Sequence, residues 1–552
     1  MKKYLVYILM LTPFFSWAQS ITGTVVDSDG QSIAFANVTL CQSSDSTIIT
    51  GCTSDENGNF CFATECTGGM YLRISFVGYK TKLVELGTSP IRVTLESIML
   101  NEVIVVARRK LYEQKNGEII ANVKGTILET YPKTADVIAQ LPFVSSQNGI
   151  FTVFGKGSPA IYINNRLVQD LKELDRLMPS EIKNIKINTM PGAKYDATVG
   201  AVIQIITEKA QGEGLSGTLH AGSKRSERWS AEEFVSLNYR HKVWDIFGSA
   251  YLIQRCRQID MKANQQLSVA DAVHGVGYQE EENVRSDRLA AVGGINYNPN
   301  ESISAGVQYV YNHSTWKNDM LNNISHTVNN EMEVKQQRAS SDRPDHTHNV
   351  NAYFSGTLGG NLSLDFNLDW VKGNERDNMH SWFQNDASGD VNTVSTRRYG
   401  YYASKGILTY ANKYVNLEGG AEYSYTDMTQ TYAIDNTALG INNSEDVTKQ
   451  NRWALFVSAK SQVGNWGFGA GMRYEDIDFD YYKNKAWNKE QSKKYHKLFP
   501  NLFVNYSKGN MQATLSYERK IKYPSYSALR SNIQYSSPYV YESGNPMLLP
   551  QM

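Results

Sequence analysis

Leu362-Ser363-Leu364-Asp365-Phe366-Asn367-Leu368-Asp369-Trp370 decides how this chain is read. Successive side chains of a strand point to opposite sides, so Leu362, Leu364, Phe366, Leu368 and Trp370 share one face and Ser363, Asp365, Asn367 and Asp369 the other. A period of two this strict buries one face only. A tilted strand needs roughly nine to eleven residues to cross a bilayer, which is the length of this run. Residues 243–252, 303–311, 415–425, 453–459, 502–506 and 513–519 repeat the pattern. Tyr239, Tyr251, Tyr309, Tyr311, Trp370, Tyr423 and Tyr425 lie at or near the ends of such runs, where a ring packs among lipid and its polar tip reaches the headgroups. A soluble sandwich or propeller also alternates. The height of these segments and their number, about 12 to 14, favour a transmembrane antiparallel β-barrel.

Composition agrees. The 552 residues carry 55 Lys+Arg against 55 Asp+Glu, a balance unsuited to coating nucleic acid. A mean hydropathy of −0.42 excludes a multi-span helical membrane protein but not a β-barrel, whose lipid and lumen faces average out. The 34 Tyr, 9 Trp and 41 Gly beside 14 Pro suit many tall strands.

At the amino end, Lys2 and Lys3 precede an apolar stretch over 4–15, and Ser16-Trp17-Ala18 ends it with a small residue at Ala18. This predicts a signal peptide over 1–18 and export to an oxidising compartment. Cys41, Cys52, Cys61 and Cys66 then allow two disulfides in three connectivities, with Cys256 left over. No His lies between Cys41 and Cys66 and the spacing fits no zinc pattern, so no metal or cofactor is expected there.

Residues 19–96 read as short strands separated by turns, among them Asp29-Gly30 and Asn57-Gly58, and predict a small β-sandwich. Asp55, Asn57 and Asn59 around Gly58 form a hairpin turn rather than a calcium loop, since the closing Glu of the 12-residue pattern is missing. Residues 97–110 are a linker containing Leu100, Asn101, Glu102, Val103, Ile104, Val105, Val106 and Ala107, a β-branched run stopped by Arg108, Arg109 and Lys110. Such a run suits strand addition to a partner's sheet edge; its pattern equally suits a last strand of the sandwich.

Residues 111–210 switch to mixed α/β, with strands over 119–123, 149–154, 160–163, 182–187 and 201–206 and helices over 135–141 and 168–177. Asp136, Asp170, Glu173, Asp175 and Asp196 are scattered over this module and read as solvated faces, because acid/base catalysis needs convergent carboxylates. Gly155-Lys156-Gly157-Ser158 lacks the spacing of a phosphate loop and reads as a turn.

From 211 to 552 the chain is barrel. Polar intervals over 276–287 and 322–349 are expected to be extracellular loops, and Gly359-Gly360-Asn361 a tight periplasmic turn. Asp476, Asp478 and Asp480 share a strand face, expected to be lumenal. His346 and His348 near Asp342 and Asp345 fall in an expected loop and offer an incomplete metal-ligand set.

Several stretches resemble known families. Gly23-Thr24-Val25-Val26-Asp27, Ala34-Phe35-Ala36-Asn37-Val38, Asn57-Gly58-Asn59-Phe60 and Phe76-Val77-Gly78-Tyr79 resemble the carboxypeptidase-regulatory-like, transthyretin-type domain, an accessory module. Leu100 to Ala107 resembles the TonB box of outer-membrane receptors, and position selects that reading over a last sandwich strand. Asp136-Val137-Ile138-Ala139-Gln140-Leu141-Pro142, Ala160-Ile161-Tyr162-Ile163-Asn164-Asn165-Arg166 and Met190-Pro191-Gly192-Ala193-Lys194-Tyr195-Asp196 look like the plug domain of TonB-dependent receptors. Ala197-Thr198-Val199-Gly200 departs from the family's glycine-rich stretch at that point.

The resemblance implies a mainly β chain made of a small N-terminal sandwich, an α/β plug and a transmembrane β-barrel. It implies a receptor that binds an extracellular nutrient and imports it with energy relayed by TonB, with Leu100, Asn101, Glu102, Val103, Ile104, Val105 and Val106 as the TonB contact. Implied partners are the periplasmic C-terminal domain of TonB, the outer-membrane bilayer, the nutrient and a surface lipoprotein, with no nucleic acid, cofactor, metal or catalytic residue. A barrel that senses or adheres without transport is the alternative. A secreted carbohydrate-binding or hydrolytic β-protein is a further one. The family barrel has more strands than 211–552 supplies, and residues 523–552 resemble an interior loop, so a C-terminally truncated, incomplete barrel is expected.

Overall fold

A computed structural model describes residues 20–552 except 45, 64–68, 87–89, 98–109, 116–117, 148, 165, 169–170, 209–212, 270–271, 301, 330, 385 and 509–510. The expected signal peptide, the segment Leu100 to Val106, Cys66 and Asp170 lie outside the described residues. Contacts divide the chain into two units. One comprises Met1–Pro191, Val199–Ala210 and Ser507–Ala513; the other comprises Gly192–Thr198, Gln211–Tyr506 and Thr514–Met552.

In the first unit, β1 (Ser20–Val26), β2 (Asn37–Gln42), β3 (Ile48–Thr53), β4 (Asn59–Ala63), β5 (Met70–Ser75), β6 (Lys82–Glu85) and β7 (Ile91–Thr94) form two sheets, ordered β4-β1-β7 and β3-β2-β5-β6. Val25, Val38, Leu40, Leu72, Ile74 and Val93 fill the space between them. The Asn57-Gly58 turn is a hairpin: Asp55 Oδ1 accepts from the amides of Asn57 and Asn59 at 2.9 and 2.8 Å, and Gly58 takes φ 78°. Cys41, Cys52 and Cys61 are free thiols, against the expectation of bridges. Register keeps Cys41 apart from the others, since it pairs with Ile48 and Tyr71, while Cys52 of β3 and Cys61 of β4 neighbour each other as thiols without a bond.

The plug module of this unit is built on β8 (Tyr112–Lys115), β9 (Glu118–Asn122), β10 (Val144–Gln147), β11 (Ile150–Val153), β12 (Ala160–Ile163), β13 (Arg166–Leu167), β14 (Ile182–Asn188) and β15 (Val202–Thr207). Six of these make one sheet, ordered β13-β12-β15-β14-β9-β8, on which the helix Thr134–Ala139 packs Val137 and Ile138. The helix expected over 168–177 is only a 3-10 stretch, Leu171–Arg176. Pro179 holds Met178 extended at ψ 142°, and so short a segment cannot offset the cost of nucleating a helix. Gly155-Lys156-Gly157-Ser158 is the turn after β11, with φ 67° at Gly155 and 77° at Gly157.

Sandwich and plug share an interface within the unit. Asn37 donates from Nδ2 to the Leu141 carbonyl at 3.1 Å and accepts the Phe143 amide on Oδ1 at 2.9 Å. Tyr112 sets its ring edge-on to Phe35 and Phe76, with centroids 6.0 and 6.1 Å away. Burial pushes the Tyr112 phenol above its ordinary pKa.

The second unit is a 14-stranded antiparallel meander. Its strands are β16 (Gly214–Arg225), β17 (Trp229–His241), β18 (Trp244–Val269), β19 (Ala272–Asn300), β20 (Ile303–Val328), β21 (Glu331–Gly359), β22 (Leu362–Phe383), β23 (Asp386–Ala411), β24 (Val415–Ile434), β25 (Ser444–Val463), β26 (Trp466–Lys483), the short β27 (Ala486–Trp487), β28 (Lys493–Lys508) and β29 (Met511–Glu518). The hairpin of β30 (Ile533–Ser537) and β31 (Val540–Ser543) follows. Among the described residues, β16 and β29 do not pair with each other.

Near the turns at 242–243, 360–361 and 464–465, the sheet's exposed face is apolar. Along β25, Trp453, Leu455 and Val457 are 57–60% exposed, while Ala454, Phe456 and Ser458 between them are buried. Phe366 and Leu368 face the same way in β22, as their alternation predicts. Trp466 against Tyr506 and Trp244 against Tyr297 border this belt below, and Tyr423 against Trp453 above, with centroids 4.5–4.8 Å apart. Strands of 26 and 29 residues run far past it, since roughly ten residues span the hydrocarbon.

That excess length corrects three expectations. Residues 276–287 and most of 322–349 are strand, not loop. Beyond the bilayer no face must be apolar, so the period-two signal fades while backbone pairing continues. His346 and His348 therefore lie on β21, on the face opposite Asp345, and form no metal set; among the described residues there is none. Asp476, Asp478 and Asp480 share the exposed face of β26 with Trp466, Phe468 and Met472, whereas Ile477, Phe479 and Tyr481 are the buried ones. Protein covers the inward face there: Tyr526 stacks on Phe479 and the Ser531 amide donates to Tyr481 Oη. Tyr251 likewise points inward, against Phe234 and Ile253, and belongs to no girdle.

Candidate functional site

The loop between β14 and β15 carries Gly192–Thr198 onto the inward face of the meander, within the second unit. Asp196 lies 2.5 Å from Arg452 of β25, whose other terminal nitrogen lies 2.6 Å from Glu475 of β26. Arg473, two residues before Glu475, donates to it at 2.6 Å and reaches Glu422 of β24 at 3.2 Å. Lys405 of β23 lies 3.5 Å from Glu422 and donates to the Lys194 carbonyl at 2.5 Å. Lys194 closes the set on Glu418 of β24 at 2.8 Å, whose second oxygen accepts from Ser458.

The set holds four cations (Lys194, Lys405, Arg452, Arg473) and four carboxylates (Asp196, Glu418, Glu422, Glu475), so it is neutral. Arg473 is 1% exposed and Glu475 0%, so desolvation is costly and only mutual pairing sustains the charges. Burial pushes the Asp196 carboxyl up, but Arg452, Arg473 and the hydrogen bonds from Thr198 outweigh it and hold the group below the usual carboxylate range.

Sequence places these groups by parity. Glu418 and Glu422 alternate with the exposed Leu417 and Ala421 in β24, and Arg452 precedes the exposed Trp453 in β25. Gly471 makes the loop's approach possible: a Cβ there would meet Asn501 Oδ1 at 2.3 Å and Ala193 Cβ at 3.1 Å. Beside this, the Ala197 carbonyl accepts the Ile521 amide at 3.2 Å, and Ala197, Phe499 and Ile521 bury one another. The chemistry of the arrangement is electrostatic retention of one short loop.

Residues 354–552 match the model of the outer membrane protein beta-barrel family, and residues 21–105 that of the CarboxypepD_reg-like domain. The chain is an outer-membrane β-barrel protein with a carboxypeptidase-regulatory-like domain. Solved structures similar to this outer-membrane protein include the ferric citrate transporter FecA, at 11% identity over 73% of this chain and 83% of that one, TM-score 0.31. The ferric yersiniabactin uptake receptor FyuA from Yersinia pestis is 8% identical over 70% and 83%, TM-score 0.30. The siderophore receptor PiuA from Acinetobacter baumannii is 8% identical over 73% and 87%, TM-score 0.32. No curated protein matches the chain.

Of the residues singled out in the sequence, Lys194 and Asp196 of the Met190 to Asp196 motif enter the charge lattice of the outer-membrane protein, and Asp196 is the one expected on a solvated face. Asp196 is not on a solvated face, and neither is Glu173, which is 7% exposed and paired with Arg166 at 2.7 Å. Arg452, Arg473, Glu422 and Glu475 were missed because a polar lumen face is ordinary for a barrel and periodicity names no partners. The inward run Gly467, Gly469, Gly471 ahead of Arg473 and Glu475 was the available signal.

Proposed function

We propose that this chain is a TonB-dependent receptor that binds an extracellular nutrient and imports it into the periplasm. The resemblance of Leu100 to Val106 to a TonB box and of Met190 to Asp196 to the plug motif supports this, and the observation that carries it is the anchoring of Lys194 and Asp196 by the charge lattice. Such an anchor is a two-position device. Left in place, its eight charges neutralise one another; withdrawn with the plug, Lys194 leaves Glu418 without a cation and Asp196 leaves Arg452 with Glu475 alone, and breaking a buried pair costs about 3–5 kcal/mol. A ligand cannot supply that without differential contacts, whereas a pull on Leu100 to Val106 can, so ligand and TonB act on one element from two sides. The chain makes and breaks no covalent bond in this scheme, and TonB, the bilayer and the nutrient are its partners.

Deleting Leu100 to Val106 tests the reading. Loss of nutrient-dependent growth, with the barrel still in the outer membrane and still binding ligand at the cell surface, is the expected outcome. Unchanged uptake with intact surface binding would instead favour a sensing or adhesive barrel.

A further inference from the structure

On the exposed face, one residue pair above Trp370 and Tyr402, a groove of about 960 Å³ opens between β21 and β24. His346, His348, Lys372 and Arg398 line it. In the ladder Lys372 stands opposite His348 and Gly400, and Arg398 opposite Asn374, so the two long cations are diagonal neighbours about 7 Å apart at their roots. A Cβ on Gly400 would meet nothing within 4 Å, which leaves the floor between them open. Neither Lys372 nor Arg398 has an ion-pair partner among the described residues. The single carboxylate lining the groove, Asp427, is paired in register with Lys449 on its far side. The adjoining sector is different: Asp476 and Asp478 are already matched by His496 and Lys494 at 3.0 and 2.8 Å.

We propose that this groove binds the phosphate of an anionic lipid headgroup. Depth selects a lipid over a soluble anion. Trp and Tyr rings mark the boundary where hydrocarbon gives way to headgroups, and the apolar belt of Leu364, Phe366 and Leu368 continues directly below Trp370. A lipid whose chains lie on that belt carries its phosphate to the level of Lys372 and Arg398, where each cation contributes as basic residues do at an anionic surface. Tyr309 Oη, 2.7 Å from His348 Nδ1, fixes that imidazole at the groove's edge. The site is independent of what the barrel transports.

The test is a titration of the full chain, purified in neutral detergent, with phosphatidylglycerol, phosphatidylcholine and inorganic phosphate, bound lipid being counted by native mass spectrometry. Phosphatidylglycerol is expected to bind in preference to phosphatidylcholine and to resist displacement by phosphate. Lys372→Ala and Arg398→Ala are each expected to weaken it about fivefold, and the pair about 25-fold. Asp427→Asn is expected to strengthen it, a gain that misfolding cannot mimic. Equal binding of the two lipids, displacement by phosphate, or a double variant that binds like the parent overturns the proposal.

Discussion

Arg452 donates to Asp196 at 2.5 Å while its other terminal nitrogen holds Glu475 at 2.6 Å, so one guanidinium ties a plug loop to the meander. Arginine suits this role because its planar fork serves two carboxylates without choosing between them, and a lysine in its place would serve one. The second tie, Lys194 to Glu418, reverses the polarity. With one cation and one anion contributed by the loop, its departure leaves the sheet's face with both signs uncompensated.

The Arg452–Asp196 tie predicts strong non-additivity. Arg452→Met and Asp196→Asn are each expected to cost about 3 kcal/mol, by stranding a buried partner. The double variant should recover about 2 kcal/mol of the sum, since neither charge is then left alone. Chemical unfolding of the four proteins in lipid measures the coupling, and strictly additive losses would contradict the arrangement.

Asp196 also sets a pH window. Its folded-state pKa is depressed, so the stabilisation is complete above the ordinary carboxylate pKa of about 4 and is lost as pH falls through the lower folded value. The stability difference between the parent and Asp196→Asn should stay constant from pH 8 to pH 5 and shrink only below about pH 4. Thermal unfolding in three buffers, at pH 7, pH 5 and pH 3, reads this; a difference already lost at pH 5 would mean the carboxyl is not held by Arg452.

What was legible in the sequence follows from what each environment imposes. Hydrocarbon forbids polar groups, so the Leu362 to Trp370 alternation announced its strand, and Asp365, Asn367 and Asp369 announced the polar face. Above the bilayer that prohibition lapses, and residues 276–287 read as loop although they pair in register with β18 and β20. Asp476, Asp478 and Asp480 show the same limit from the other side. Alternation gave two faces, but which one met protein depended on Tyr526 and Ser531 covering Phe479 and Tyr481. The lattice around Asp196 was illegible for a third reason: Lys194 and Glu418 are separated by 224 positions, and no local period encodes such a partner.

Thiol reactivity should follow burial in the sandwich. Burial pushes the Cys52 thiol up to about 12, so thiolate is scarce at neutral pH, and Cys41 is fully buried in β2. Cys61 is exposed. Brief alkylation of the native chain at pH 7.5 should modify Cys61 and spare Cys41 and Cys52, both of which react after denaturation. Peptide mapping decides the matter, and native labelling of Cys52 at the rate of Cys61 would refute the assignment.

Asn37 predicts how sandwich and plug communicate. Its amide satisfies both the Leu141 carbonyl and the Phe143 amide while 6% exposed. Asn37→Leu removes the partner of the half-buried Phe143 amide, at a cost of about 1–3 kcal/mol, while the Leu141 carbonyl keeps the Val144 amide at 3.2 Å. The sandwich should then detach before the plug unfolds, seen as faster protease cleavage near residues 98–109. Cleavage at the parental rate would show that Tyr112, Phe35 and Phe76 suffice.

The lipid belt makes the last prediction, and it separates a membrane wall from an ordinary sheet. Val457 is 60% exposed to solvent in the isolated chain, and surface positions of a soluble protein tolerate a charged residue within about 0.5 kcal/mol. Near the midplane of a bilayer the same substitution costs about 2–4 kcal/mol, because the ammonium must be brought into hydrocarbon. Val457→Lys, well inside the belt below Trp453, is therefore expected to destabilise the chain by about 3 kcal/mol in lipid. Val447→Lys, on the same face of β25 but beyond Trp453 on its other side, should change stability by less than about 0.5 kcal/mol. Urea unfolding of both variants in vesicles gives the contrast, and equal effects at the two positions would mean that no hydrocarbon meets this face.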